Sequence, residues 1–200
     1  MRPLKTVRWL GWALALLASA TVAQSGIVGS AHDFSAQGWS QGEVCIVCHT
    51  PHHASQALDR PLWNHEVTTA SFTLYSSATL HQTPEQPLAP SKSCLSCHDG
   101  TVAQDSFGGR TGTQFVTGDA LIGTDLANDH PVSIRWDHVG SASCGNCHNL
   151  HGGGVSVLPF YDGKVECATC HEPHNAVAGT TKMLRKTIVG SALCLHCHGK

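Results

Sequence analysis

The chain has 200 residues, of which only 13% are charged and 6% aromatic, and its formal net charge is −2 with histidines neutral. No Lys/Arg run or basic patch is present, which argues against nucleic acid as a partner. So few large aromatics would leave the polypeptide alone short of apolar surface to bury, while glycine (20), histidine (15) and cysteine (10) are abundant.

In chain order, the first segment reads as an export signal. Arg2, Lys5 and Arg8 form a positive stretch, Trp9 to Leu17 an apolar one, and small residues follow, with cleavage after Ala20 or Ala23. An uncleaved anchor is the competing reading, but the apolar part falls short of the roughly 20 residues a spanning helix needs. The expected organisation is a signal over 1–23 and a single domain over 24–200, with no stable membrane span after cleavage. Losing three positive and no acidic residues takes the net charge from −2 to about −5. The predicted location is periplasmic or extracellular, at the cell surface.

Cys45-Ile46-Val47-Cys48-His49 is the first of five Cys-x-x-Cys-His stretches. The others run Cys94 to His98, Cys144 to His148, Cys167 to His171 and Cys194 to His198, and they include Cys97, Cys147, Cys170 and Cys197. This is the attachment signature of a c-type haem. Two thiols three positions apart add to the two vinyl groups of one porphyrin, and the next histidine ligates its iron. A redox dithiol or half a zinc site accounts for a lone Cys-x-x-Cys, but not for five copies with histidine always in the same place. All ten cysteines are used, so five covalent haem c groups are predicted, with proximal ligands His49, His98, His148, His171 and His198. The expected fold is mostly irregular coil with short α-helices and little β, wrapped around five stacked haems that serve as its core, and folding should depend on their attachment.

First cysteines of successive motifs are 49, 50, 23 and 27 residues apart, which makes two long loop-rich segments and then a compact block. Pro84, Pro87 and Pro90 argue against a helix between the first two sites. Gly100 to Asp129 reads as turns and irregular loop with a short hairpin. Gly152-Gly153-Gly154 separates the third and fourth motifs, and a helix is expected over Ala176 to Thr187.

Three motifs extend to Cys-x-x-Cys-His-x-x-His, adding His52, His151 and His174. The second histidine cannot readily reach the far face of its own iron but can reach a neighbour's, which would bring haems into close pairs. These three therefore lead the candidates for the sixth, distal ligands. His130, fixed before Pro131, and His32, just ahead of the first motif, complete the set, with His65 as runner-up. His53 could stand in for His52. His81 and His138 read as surface or propionate-bonding histidines, and His196 is tethered to its own haem's edge. Met183, the only methionine after Met1, fits a packing role better than ligation.

The C-terminal stretches Cys167-Ala-Thr-Cys-His-Glu-Pro-His174, Met183-Leu-Arg-Lys and Cys194-Leu-His-Cys-His198 resemble the doubled CXXCH motif of multihaem cytochromes. His32-Asp-Phe-Ser35, Cys45-Ile-Val-Cys-His-Thr-Pro-His-His53, Pro61-Leu-Trp-Asn-His65, Tyr75-Ser-Ser, Cys94-Leu-Ser-Cys-His-Asp-Gly-Thr-Val102 and Asp129-His-Pro-Val132 resemble exported cytochromes of metal-respiring bacteria. That branch includes subunits of extracellular cytochrome filaments. The resemblance implies an electron carrier with redox-protein partners, and a possible head-to-tail homopolymer. In such a polymer His52, or failing that His32, would ligate a haem of the next subunit.

Two strong axial ligands give an iron that passes electrons, whereas an open position binds substrate. Ten histidines beyond the proximal set suffice to close five irons, so no enzyme is expected. The alternatives are a soluble pentahaem donor to a terminal reductase and, behind it, a pentahaem reductase. Such reductases are much larger, and one of their motifs carries lysine in place of the proximal histidine. Intact mass of the matured protein under denaturing conditions is expected to show five covalent haems; four or fewer would strike a motif from the set.

Overall fold

The computed structural model describes residues 26–58, 61–80, 82–135, 158–174 and 182–198. The predicted signal, the third motif (Cys144, Cys147 and His148), His151, His81, His138 and the Gly152 to Gly154 run lie outside the described residues. What is described is mostly coil. It holds two α-helices, α1 (Ala89–His98) and α2 (Cys167–Cys170), a two-residue antiparallel pair, β1 (Ile134–Arg135) with β2 (Lys164–Val165), and four single 3-10 turns. Ile134 lies opposite Val165, and Arg135 opposite Lys164. No described helix is long and apolar enough to cross a membrane.

The longest helix is built around the second motif. Pro90 stands in the first turn of α1, where a missing N–H costs nothing because that donor has no intrahelical partner. The expectation that Pro90 keeps helix out of this region is thus corrected: Pro84 and Pro87 lie in coil, and Pro90 starts the helix. Ser93 and Ser96 bond back to the carbonyls of Ala89 and Lys92. Gly100, with φ +78°, ends the helix by a left-handed residue. A Cβ there would also come within 2.7 Å of Leu121 Cδ1.

A second correction concerns the helix expected over 176–187. Residues 182–187 are turn and extended chain; Lys182 and Met183 have φ +57° and +53°, values an α-helix does not contain. Residues 176–181 lie outside the described set. Between Gly100 and Asp129 the chain is irregular, and its isolated bridges reach outward, Phe107 to His65 and Asp125 to Thr73.

Among the described residues the apolar core is small, with Phe72, Leu95 and Leu126 at its centre and Ala70, Leu74 and Val132 against them. Buried polar bonds do much of the remaining joining. Glu166, 1% exposed, caps α2 and accepts from the Ser91 hydroxyl of α1 and, at 2.7 Å, from the Ser133 hydroxyl. Ser91 Oγ in turn accepts from the Cys167 N–H at 2.9 Å. Helix α1, the β1 segment and α2 therefore meet at one carboxylate. Thr68 does the same nearer the second motif, donating to Asp99 at 2.5 Å while its own N–H bonds Ser96 Oγ.

Burial pushes the Glu166 carboxyl above its ordinary range, against the pull of the Ser91 and Ser133 hydroxyls. The folded state then holds this proton more tightly than the unfolded one, so its contribution to stability falls as pH rises from the ordinary carboxyl value toward the folded one. Glu166→Ala, which leaves two buried hydroxyls without their acceptor, is expected to cost on the order of 2–3 kcal/mol in denaturant unfolding of the haem-loaded protein. Glu166→Gln is expected to flatten the pH dependence; an unaltered midpoint and pH profile in both variants would show that the hydroxyls find other partners.

Candidate functional site

Each described motif is one helical turn. The histidine N–H bonds the first cysteine's carbonyl at 2.8 Å in the first motif, 3.0 Å in the fourth and 2.8 Å in the fifth. The second motif closes α1. One turn sets the two thiols at i and i+3 on a common face, with the histidine following directly. None of the eight described cysteines is in a disulfide.

The thiols also place the motifs relative to one another. Cys94 donates to Pro90 O at 3.6 Å, and the neighbouring Cys167 sulfur pushes the Cys94 thiol well above its usual value, while Cys94 pulls the Cys167 thiol below its own. Burial, then the charge of Cys48, pushes Cys97 up to about 12. Burial, then Cys170 and Cys194, pushes Cys197 up to about 11. The first motif thus borders the second, the second borders the fourth, and the fourth borders the fifth.

The histidines share one device. Nδ1 of His49 bonds Pro61 O at 3.1 Å, Nδ1 of His98 bonds Ala120 O at 2.7 Å, and Nδ1 of His171 bonds Lys182 O at 2.7 Å. Beyond the motifs, Nδ1 of His130 bonds Pro131 O at 3.0 Å, that of His174 lies 3.3 Å from the Glu172 carboxylate, and that of His32 lies 3.0 Å from Met183 Sδ. Carbonyl, carboxylate and thioether can only accept. In all six rings the hydrogen therefore sits on Nδ1, and the Nε2 lone pair is left for a metal.

Three of these rings stand opposite motif histidines. His49 and His174 have ring centres 5.9 Å apart, His98 and His32 5.9 Å, and His198 and His130 6.2 Å. Two metal–imidazole bonds of about 2 Å through one metal put the ring centres roughly 6–6.5 Å apart. Plain ring contacts span that range too. Each pair here, however, joins a motif histidine to one outside the motifs, and five of the six rings have Nδ1 occupied. Burial first, then the charges of His98 and His171, pulls His32 below the usual histidine range, which favours the neutral ring that ligation needs.

The other candidates fall differently. His52 and His53 are exposed and line an open cleft of about 460 Å³ with Asn64 and Gly108, and no described ring faces His52. Both ring nitrogens of the buried His65 face carbonyls, Glu66 O at 2.7 Å and Ala103 O at 3.1 Å. Its Nε2 also lies 3.4 Å from Cys97 Sγ, so the runner-up sits against the second motif, in surroundings that the sequence could not supply because Ala103 comes from a distant loop. His196 has a buried Nε2 without a partner and lies 3.4 Å from Lys186 Nζ through Nδ1.

Sequence reasoning missed the strap 182–185. Lys182 O holds His171, Met183 O accepts the Glu172 N–H at 2.7 Å, and Met183 Sδ receives His32. Arg185 pairs with Glu172 at 2.8 Å and donates to Ala168 O. Burial pushes the Glu172 carboxyl up, but the His174 N–H and the Arg185 guanidinium outweigh it and hold the carboxyl below its usual range. Two consecutive left-handed residues that are not glycine cost of order 1–3 kcal/mol each, and the signal in sequence is only a methionine among basic residues.

A cleft of about 190 Å³ contains Cys167, Cys170 and His171, all three attachment points of the fourth motif, and is walled by Leu95, Ile122, Leu126 and Val132. An apolar, planar ring bonded to two thiols and one histidine suits this lining. Trp63, packed on His49, has a buried Nε1–H without an acceptor, which a porphyrin carboxylate could supply. A bare metal ion suits the site less well: among the described residues no three His, Cys, Asp or Glu side chains converge, whereas a protein-only zinc site takes about four. His65→Phe is expected to leave every iron low-spin in the loaded protein while lowering stability by about 1–2 kcal/mol through the orphaned carbonyls; a new high-spin signal would make His65 a ligand.

Residues 158–200, which carry the fourth and fifth motifs, match the family model described as the doubled CXXCH motif. No curated protein matches the chain. The match is consistent with the multihaem c-type cytochromes, proteins of electron transfer, and the CXXCH motifs imply covalently bound haem c.

Proposed function

We propose that the chain is a pentahaem electron conduit that works outside the inner membrane, each iron closed by two histidines. The observation that carries this reading is the shared state of six rings, Nδ1–H bonded to an acceptor-only group and Nε2 free, with three of them opposite motif histidines at 5.9–6.2 Å. His49 with His174, His98 with His32, and His198 with His130 would each hold one haem; Cys45/Cys48, Cys94/Cys97 and Cys194/Cys197 would tether it. His171 holds the proximal side of a fourth, on Cys167 and Cys170, and His148 that of a fifth. A haem iron with two histidine ligands exchanges single electrons and offers no coordination site to a substrate.

The electrostatic influence of the thiols on one another favours a continuous run of motifs in the order first, second, fourth, fifth, rather than scattered centres. The carrier reading ranks above a reductase because the ligand pairs use histidines that an open site would leave idle. A polymerising, extracellular role is the second reading, and exposed His52 with no ring opposite it favours that role. In a head-to-tail homopolymer His52 is the first candidate for the link, and His32, whose ring faces His98 in its own chain, is the second.

Reduced protein is expected not to bind carbon monoxide, and its oxidised spectrum to be low-spin throughout. His174→Ala, His32→Ala and His130→Ala should each convert one iron to high-spin with all haems still attached by mass. A stoichiometric high-spin fraction in undamaged wild-type protein would place a reductase ahead of a carrier.

A further inference from the structure

The six rings with occupied Nδ1 are not held alike. Oxygen acceptors hold five of them, but His32 is held by the Met183 thioether at 3.0 Å, and sulfur is the weaker acceptor. The strap that presents this sulfur does so at evident conformational cost, with Lys182 at φ +57° and Met183 at φ +53°. Five bonds fix it to the fourth motif: His171 to Lys182 O, Glu172 N–H to Met183 O, Arg185 N–H to Cys170 O, Arg185 Nε–H to Ala168 O, and the Arg185–Glu172 ion pair. A methionine that merely filled space would need neither the strained backbone nor a sulfur aimed at a ring nitrogen.

We propose that Met183 is a positioning and tuning residue for the site formed by His98 and His32, acting through His32. The inference rests on the reading of His32 as an axial ligand. An acceptor on Nδ1–H gives an imidazole some imidazolate character, which makes Nε2 a stronger donor and favours the oxidised metal. A weak acceptor gives less. Met183 thereby leaves this one site easier to reduce than sites whose histidines are backed by carbonyl or carboxylate oxygen. Because Lys182 of the same strap holds His171, Met183 also fixes the His98 site against the fourth motif.

The test uses the full, haem-loaded chain, with haem content checked by intact mass, and titrates the individual potentials by spectroelectrochemistry and electron paramagnetic resonance. Met183→Leu keeps the volume and removes the acceptor; Met183→Gln offers a carbonyl oxygen in its place. Leucine is expected to raise one midpoint and glutamine to lower that same midpoint, while the others hold. The glutamine shift should reach on the order of a tenfold change in the reduced-to-oxidised ratio at fixed potential, the lower end of what such outer partners do, which is about 59 mV for one electron.

Shifts in the same direction for both variants would mean packing alone, and unchanged potentials in both would equally overturn the proposal. A high-spin iron in Met183→Leu would make the sulfur itself a ligand and overturn it too. His32→Ala separates the two layers. If it leaves all irons low-spin, the axial reading of His32 fails first; if it yields one high-spin iron while both Met183 variants are silent, only the tuning role fails.

Discussion

Everything the site can do depends on a proton held on the correct nitrogen. A free imidazole carries its hydrogen on either ring nitrogen, and only one of the two arrangements leaves Nε2 ready to bind. In this chain an acceptor that cannot donate fixes the choice at His49, His98, His171, His130, His174 and His32. The irregular loops have their purpose here. Regular helix and sheet use up their carbonyls internally, whereas coil and the end of a short 3-10 turn leave the Pro61, Lys182 and Ala120 oxygens free to face a ring. The sparse secondary structure is thus a condition of the site as well as a result of the glycine-rich sequence.

The core fits the same account. Among the described residues the apolar centre is only Phe72, Leu95 and Leu126, and large apolar side chains such as Leu121 and Ile122, next to the backbone that holds His98, stay exposed. Buried hydroxyl–carboxylate bonds at Glu166 and Asp99 join segments where apolar packing is thin. Each of these polar joins lies within a few residues of a motif, so the strongest local fixing is where the ligands must be held.

How far the sequence could be read followed from how local each feature is. The motifs were legible because covalent attachment needs two thiols and a histidine within five residues, whatever the surrounding fold. The mostly coil architecture was legible from glycine and the scarcity of aromatics. His174, His130 and His32 were legible as candidates through their offset and phrasing, but their pairing was not. His49 meets His174, and His130 meets His198, only because distant loops converge. The surroundings of His65 were hidden for the same reason, since nothing near Asn64 announces that Ala103 O will face its ring. Pro90 misled because a proline that breaks a helix in its middle is welcome at its start. The role of Met183 depends on backbone angles at two residues with no glycine to signal them.

The join between α1 and α2 has a different kind of consequence, one of timing. The Cys167 N–H reaches Ser91 Oγ, and the Ser91 hydroxyl reaches Glu166. A thiol that becomes a thioether loses its hydrogen, but these bonds use no thiol atom. Two segments far apart in the chain are therefore held in one relation whether the sulfurs beside them are free or attached.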